Sequence, residues 1–256
     1  TLRKFSFRSL LAYDFALLLF WPRFGDPTEA MAEISAKNHA NAMANPLAQL
    51  HKPLPVEFCR VVSEKNPMIA APLKVTDCSL VSDGAAAIVL VSDRRAASAR
   101  RAVRIAAMEQ VNDLLPMDGR DLSFMEGPRR AISAAMRSAG CSLDTIDFAE
   151  VHDCFTIAEL MIYEAMGLAG PGEGATLLAD GTVRRGGALP VNLSGGLKAK
   201  GHPVGATGVS MHVMAARQLD GDAGEMQVDG ARRGLVFNMG GAAVANYCSI
   251  LEGNAS

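Results

Sequence analysis

Apolar and polar positions change rhythm several times along this chain, and each change predicts an element. Residues 85–91, AAAIVLV, run continuously apolar after the turn signal Ser82-Asp83-Gly84, the pattern of a strand covered on both faces. Asp93 is placed to cap a helix reaching about residue 101, and 103–108 read as the next strand. In 124–139 the apolar residues Met125, Ile132, Ala135 and Met136 recur at helical spacing and stop at Gly140, a glycine C-cap. A short strand at 148–151 precedes a helix at 156–166 that ends at Gly167. Residues 189–193 read as extended, 205–219 as helical, and 235–238 and 243–251 as two β-rich runs hinged at Gly240-Gly241. Strands alternating with helices from 85 onward predict a layered α/β/α domain.

The first third has a different texture. Asp26-Pro27-Thr28-Glu29 orders a capping residue, a helix-starting proline and an acidic residue, predicting a helix over 27–44 that Pro46, Pro53 and Pro55 end. A second helix, 56–64, leads through Pro67 and Pro72 into 73–78, and the whole proline-punctuated stretch reads as an excursion over the surface. Residues 10–21, LLAYDFALLLFW, follow Arg3, Lys4 and Arg8 and imitate a signal sequence. They are too short to span a bilayer, carry Asp14 and lack a small-residue cleavage site, so a buried or partly disordered helix is expected there, not a targeting or membrane segment.

Composition narrows the function class. A net charge of −2 spread along 256 residues gives no electrostatic footprint for nucleic acid. The local clusters Arg94-Arg95, Arg100-Arg101-Arg104 and Arg129-Arg130 read as solvated helix faces, with a contact to a phosphorylated ligand as the alternative. Five cysteines, at 59, 78, 141, 154 and 248, are odd in number and lack zinc-type spacing, so neither a disulfide framework nor a metal site is expected, and a reducing, cytoplasmic setting fits.

The candidate chemistry gathers in three places. Gly195 to Gly208, GGLKAKGHPVGATG, sets His202 among five glycines and one proline, a composition that predicts a shaped loop, not a helix interior or ladder strand. An imidazole there can take a proton from a nucleophile or donate to an oxyanion. Cys154 stands at the passage from the 148–151 strand to the 156–166 helix, beside His152 and Asp153, where unpaired amides and the helix dipole favour a thiolate. Packing as a small buried hydrophobe is the alternative for that cysteine. Asn238-Met239-Gly240-Gly241 reads either as a bulge or tight turn, or as a backbone donor at Gly240 aimed at an oxyanion. His39, His51 and His212 are expected to be structural.

These pieces together resemble the thiolase superfamily, most closely the sterol-carrier-protein-2 type of thiolase. The likeness runs from about Gly25 to Leu251 and rests on Lys37-Asn38-His39-Ala40-Asn41, Val81 to Ala87, the HDCF run His152 to Phe155, SGGLKAKGHPVGATG and NMGG. It implies two similar α/β halves, each a five-stranded sheet between helices, with a loop domain inserted in the first. On that mapping 1–24 are atypical, 25–84 a remnant of the loop domain, 85–101 the last strand and exit helix of the first half, and 102–252 the second half.

The implied chemistry is Claisen condensation or thiolytic cleavage of 3-oxoacyl-CoA, with coenzyme A thioesters as substrates and no resident cofactor. His202 would activate the nucleophile and line one oxyanion hole, His152 would orient an oxyanion-hole water, Cys154 would be the α-carbon acid/base, and Gly240 would supply the second oxyanion hole. Ser194 and Gly195 are the candidates for contact with the thioester arm. Asn238 stands where many thiolases carry a Cys. The nucleophilic cysteine of the family precedes everything present here, and Cys59 and Cys78 do not match it, so a truncated or frame-disrupted thiolase product is expected. A half-core with an open apolar face further implies a homodimer or a partner protein. A non-catalytic acyl-CoA-binding subunit is the main alternative, and an aldol lyase acting on a β-hydroxyacyl-CoA a weaker one.

Overall fold

The computed structural model of the chain describes residues 19–116 and 119–253, so most of the 10–21 expectation lies outside the described residues; 19–24 are helical. The elements are α1 (Thr28–Ala42), α2 (Val56–Arg60), β1 (Met68–Ala70), β2 (Leu73–Lys74), α3 (Asp93–Ala96), β3 (Val103–Asn112), α4 (Glu126–Ala139), β4 (Phe148–Val151), α5 (Thr156–Met166), α6 (Thr176–Ala179), α7 (Thr207–Leu219), β5 (Arg233–Gly240) and β6 (Ala245–Gly253). A π-helical turn, Gly196–Lys200, lies ahead of α7.

One mixed sheet, ordered β3-β6-β5-β4, organises the later part. β6 pairs antiparallel with both β3 and β5, whereas β4 runs parallel to β5. The second half was expected to hold five strands. Four are present among the described residues, and the fifth place is taken by a single parallel bridge between Ala149 and Val191, where 189–193 were expected to be extended.

The pleat divides the core. Ala149 and Val151 of β4, Leu235, Phe237 and Met239 of β5, and Cys248 and Ile250 of β6 share one cluster with Ala131, Ile132 and Ala135 of α4 and Ile157 and Met161 of α5. The alternate residues Phe148, Val236 and Leu251 pack with Leu197 and with Met211 and Ala215 of α7. Successive strand residues point to opposite faces, so the layered α/β/α architecture follows directly from this alternation. The Phe148 ring lies over Gly234, its partner across the parallel ladder, where any Cβ would collide with it. Both α4 and α5 end on left-handed glycines, Gly140 and Gly167, and the next amides, Cys141 and Leu168, donate back to Met136 and Tyr163.

Helix α1 starts where Asp26 Oδ1 accepts the Thr28 amide, and it is slightly shorter than expected. Helix α2 stops at Arg60 instead of reaching 64, and Ser92, not Asp93, is the cap of the four-residue α3.

The reading of 85–91 is overturned. This stretch forms no strand, and Ile88, Val89, Leu90 and Val91 are 42–89% exposed. An apolar run is buried only where the fold supplies a surface on each side, and among the described residues no strand lies beside it. Phe148→Ala should therefore cost about 3–5 kcal/mol, whereas Leu90→Ser should change stability by less than about 0.5 kcal/mol. Urea unfolding of the two variants checks the contrast.

Candidate active site

The site begins with the polar face of α1. Lys37, Asn38 and Asn41, spaced to share one side of a helix, turn into the protein, not outward. Lys37 Nζ meets Glu159 Oε1 at 2.6 Å and the Val191 carbonyl at 2.9 Å, with both charged groups buried. Asn38 Nδ2 donates to Asp153 Oδ2 at 2.8 Å and to Glu159 Oε2 at 2.6 Å. Asn41 donates to the Asn192 carbonyl, while Asn192 accepts the Val151 amide and donates to Glu159. Tyr163 donates its hydroxyl to Glu159 as well.

Asp153 is the hinge pin between the two motifs. Its carboxylate accepts the amides of Leu197 at 2.6 Å and Lys198 at 3.2 Å, the first unpaired N–H groups of the π turn. Gly196 is required at the closest approach: its φ is +59°, and a side chain there would overlap the Asp153 carboxylate. The expectation of a shaped loop is thus refined, since 196–200 form one helical turn between left-handed Gly195 and Gly201, followed by the His202-Pro203 bend into α7.

This brace brings two expected residues together. The His152 and His202 rings meet edge to face, with centroids 5.2 Å apart and planes at 89°. Their tautomers follow from their partners. Asn238 Oδ1 lies 2.6 Å from His152 Nδ1 and can only accept, so that nitrogen carries the proton. Thr207 Oγ1 lies 2.7 Å from His202 Nδ1 but already donates to the Pro203 carbonyl, so His202 Nδ1 is again the donor. Each ring therefore keeps Nε2 as its basic nitrogen. Burial, and then the Lys200 charge, lowers the His202 pKa to about 4. Burial, and then repulsion from a charged His202, lowers that of His152 to about 3 against the opposing Asn238 bond. Both rings are neutral bases at neutral pH.

An extended strip, 78–82, stitches the motifs from the other side. Cys78 bridges Phe155, the Ser79 amide donates to the Cys154 carbonyl at 2.9 Å, Val81 bridges His202, and Ser82 Oγ accepts the His202 amide at 3.1 Å. Cys154, half-buried, thus lies on the same strip as His202, two residues past His152. Gly240 is at the exposed end of β5, two residues past the Asn238 that holds His152. Ser194 and Gly195 are engaged within the fold: the Ser194 amide and hydroxyl both donate to Glu150, and Gly195 packs against Ala42. The other three histidines are bonded to backbone carbonyls, His39 to Lys52, His51 to Asn45 and His212 to Gly208. Burial raises the thiol pKa of Cys59 and pushes that of Cys78 up to about 12, the opposite of an activated nucleophile.

Sequence reasoning named Asp153 only as a neighbour and Ser82 only within a turn signal, and did not single out Asn192, Glu159 or Thr207. A run of polar residues at helical spacing ahead of a proline-rich segment, Lys37 to Asn45, was the available signal for a buried polar face.

Residues 108–253 match the family described as thiolase C-terminal domain-like. The chain belongs to the thiolase family. It is 39% identical over 220 residues to the acetyl-CoA acetyltransferase of Methanothermobacter thermautotrophicus, covering 85% of this chain and 56% of that one. Against human sterol carrier protein 2 it is 36% identical over 230 residues, covering 85% of this chain and 40% of the relative. The chain therefore spans about half the length of these thiolase-related proteins. Its fold matches that of the Ltp2-ChsH2(DUF35) aldolase with a TM-score of 0.84 at 20% identity, over 99% of this chain and 65% of that one. Among the described residues no helix is long and apolar enough to cross a membrane.

Two outcomes follow for this candidate site. Lys37→Met should destabilise the chain by about 3–5 kcal/mol, since it leaves Glu159 charged and buried without its cation, a loss measurable by urea unfolding. Acid should also act through the imidazoles of His39, His152 and His202, whose folded pKa values of about 3 to 4 lie below the ordinary 6.5. Between those limits the unfolded chain binds protons that the folded chain refuses. Their contribution is complete above pH 6.5 and declines as pH falls toward 4, while Asp153, Glu150 and Glu164, whose folded pKa values burial raises, contribute with the opposite sign. At about pH 5 the ring carbons of His152 and His202 should therefore still report neutral imidazole by NMR.

Proposed function

We propose that His202, His152, Cys154 and Gly240 form the C-terminal share of an acyl-transfer site that makes or cleaves 3-oxoacyl-CoA. His202 Nε2 takes the proton of a cysteine nucleophile, and the resulting N–H then donates to the oxyanion that forms on the thioester. His152, turned by Asn238, orients a water toward the same oxygen. Cys154 removes or returns the proton at the α-carbon, and the Gly240 amide donates at the second oxyanion. Residues 102–252 would be the second half of the thiolase fold, and the nucleophile would come from a first-half segment. The observation that supports this reading is the edge-to-face contact of two neutral imidazoles, both protonated on Nδ1.

The exposed apolar segment at 85–91 favours a second reading, in which the chain serves as a thiolase-like subunit that binds an acyl-CoA or a partner protein without turnover. Both readings are separable by one chimera, in which the first-half segment that precedes the loop domain of the Methanothermobacter acetyltransferase is joined ahead of residue 25, so that α1 and strip 78–82 are kept. The chimera should cleave acetoacetyl-CoA in the presence of CoA, and His202→Ala or Cys154→Ala should each lower kcat/KM by roughly 10²–10⁴-fold. A folded chimera that binds CoA with no turnover would favour the subunit reading. Undiminished turnover in either alanine variant would remove the assigned roles.

A further inference from the structure

A cavity of about 290 Å³ opens beneath the turn that joins β5 to β6. Its walls are largely apolar, with Leu122, Phe124, Met125 and Pro128 on one side and Ala242 and Ala243 on the other. Those two alanines hold left-handed φ values of 54° and 63°, a conformation rare outside glycine, and the Ala242 carbonyl accepts Arg120 Nη1 at 3.0 Å.

Arg120 is the unusual member. Its side chain is 6% exposed, yet Nε and Nη2 have no hydrogen-bond partner among the described residues. Leaving a buried donor unmatched costs about 1–3 kcal/mol, more when it is charged. The two orphaned atoms are also neighbours on one edge of the guanidinium, where their N–H bonds run parallel and match the two oxygens of a carboxylate.

Among the described residues, the surrounding charges leave that edge available. Asp121 is tied to Arg23 and Ser123, and Glu126 to Arg129 through two bonds. Asp113 accepts the Leu114 amide with Oδ1, and its Oδ2 stands 3.9 Å from Arg120 Nη1, beyond hydrogen-bond reach. It balances the cation at a distance without occupying the fork.

We propose that this cavity binds an organic acid, its carboxylate held side-on by Arg120 Nε and Nη2 and its short apolar chain lying against Leu122, Phe124 and Met125. The apolar walls and a volume several times that of an inorganic anion favour a carboxylate carried on carbon over free phosphate.

Calorimetric titration of the intact chain tests this with hexanoate, hexanamide and inorganic phosphate. Hexanoate should bind with a roughly millimolar Kd, and hexanamide and phosphate at least about tenfold more weakly. Arg120→Lys keeps the charge but loses the fork, and should weaken hexanoate by about tenfold or more. Asp113→Asn can still accept the Leu114 amide while removing a like charge, and should tighten hexanoate several-fold. Equal hexanoate affinity in Arg120→Lys, a preference for phosphate or hexanamide, a weaker Asp113→Asn, or no saturable binding would each overturn the proposal.

Discussion

The geometry of this molecule hangs on a carboxylate that never reaches water. Asp153 sits between His152 and Cys154 in sequence and spends its oxygens on the π turn and on Asn38. Burial, reinforced by the nearby Glu159 charge, raises its pKa, while the amides of Leu197 and Lys198 and the Lys37 charge oppose that rise. Buried carboxylates are tolerated only when donors converge on them, and here the donors come from α1 and from the segment that delivers His202. The same contacts that make the charge tolerable bring the two imidazoles to each other.

Around that centre the fold divides labour by layer. The sheet and its helices give a dry support, with β4 ending where the HDCF segment begins, so the candidate residues start from the end of a fully buried strand. The polar face of α1 supplies a second, wet-chemistry layer made of amides and one ammonium. Strip 78–82 then closes the arrangement by bonding to both motifs through backbone and hydroxyl groups, and its Cys78 carbonyl accepts the buried Lys198 ammonium at 2.7 Å.

Much of this was legible before any coordinates. Strand 148–151, helix 156–166 and the stops at Gly140 and Gly167 followed from periodicity and capping, because both are local properties of the chain. The apolar run at 85–91 misled for the converse reason: periodicity reports what a segment can bury, and burial depends on a neighbour elsewhere. The site was partly readable. His152 and His202 stood out through their glycine-rich and cysteine-flanked settings, but the bonds that orient them, from Asn238 and Thr207, join residues whose significance exists only after folding. Lys37, Asn38 and Asn41 were visible as a motif and invisible as a network.

The contacts of α1 carry a kinetic consequence. Lys37 meets Glu159 across 122 positions of chain, and Asn38 meets Asp153 across 115. Contacts that distant close large loops before any local reward offsets the lost entropy, so they are slow to nucleate. Until that helix docks, Glu159 lacks its ammonium and Asp153 lacks the Asn38 amide, although the Leu197 and Lys198 amides still reach Asp153. The candidate site is therefore complete only in a chain whose early helix, Thr28–Ala42, has docked.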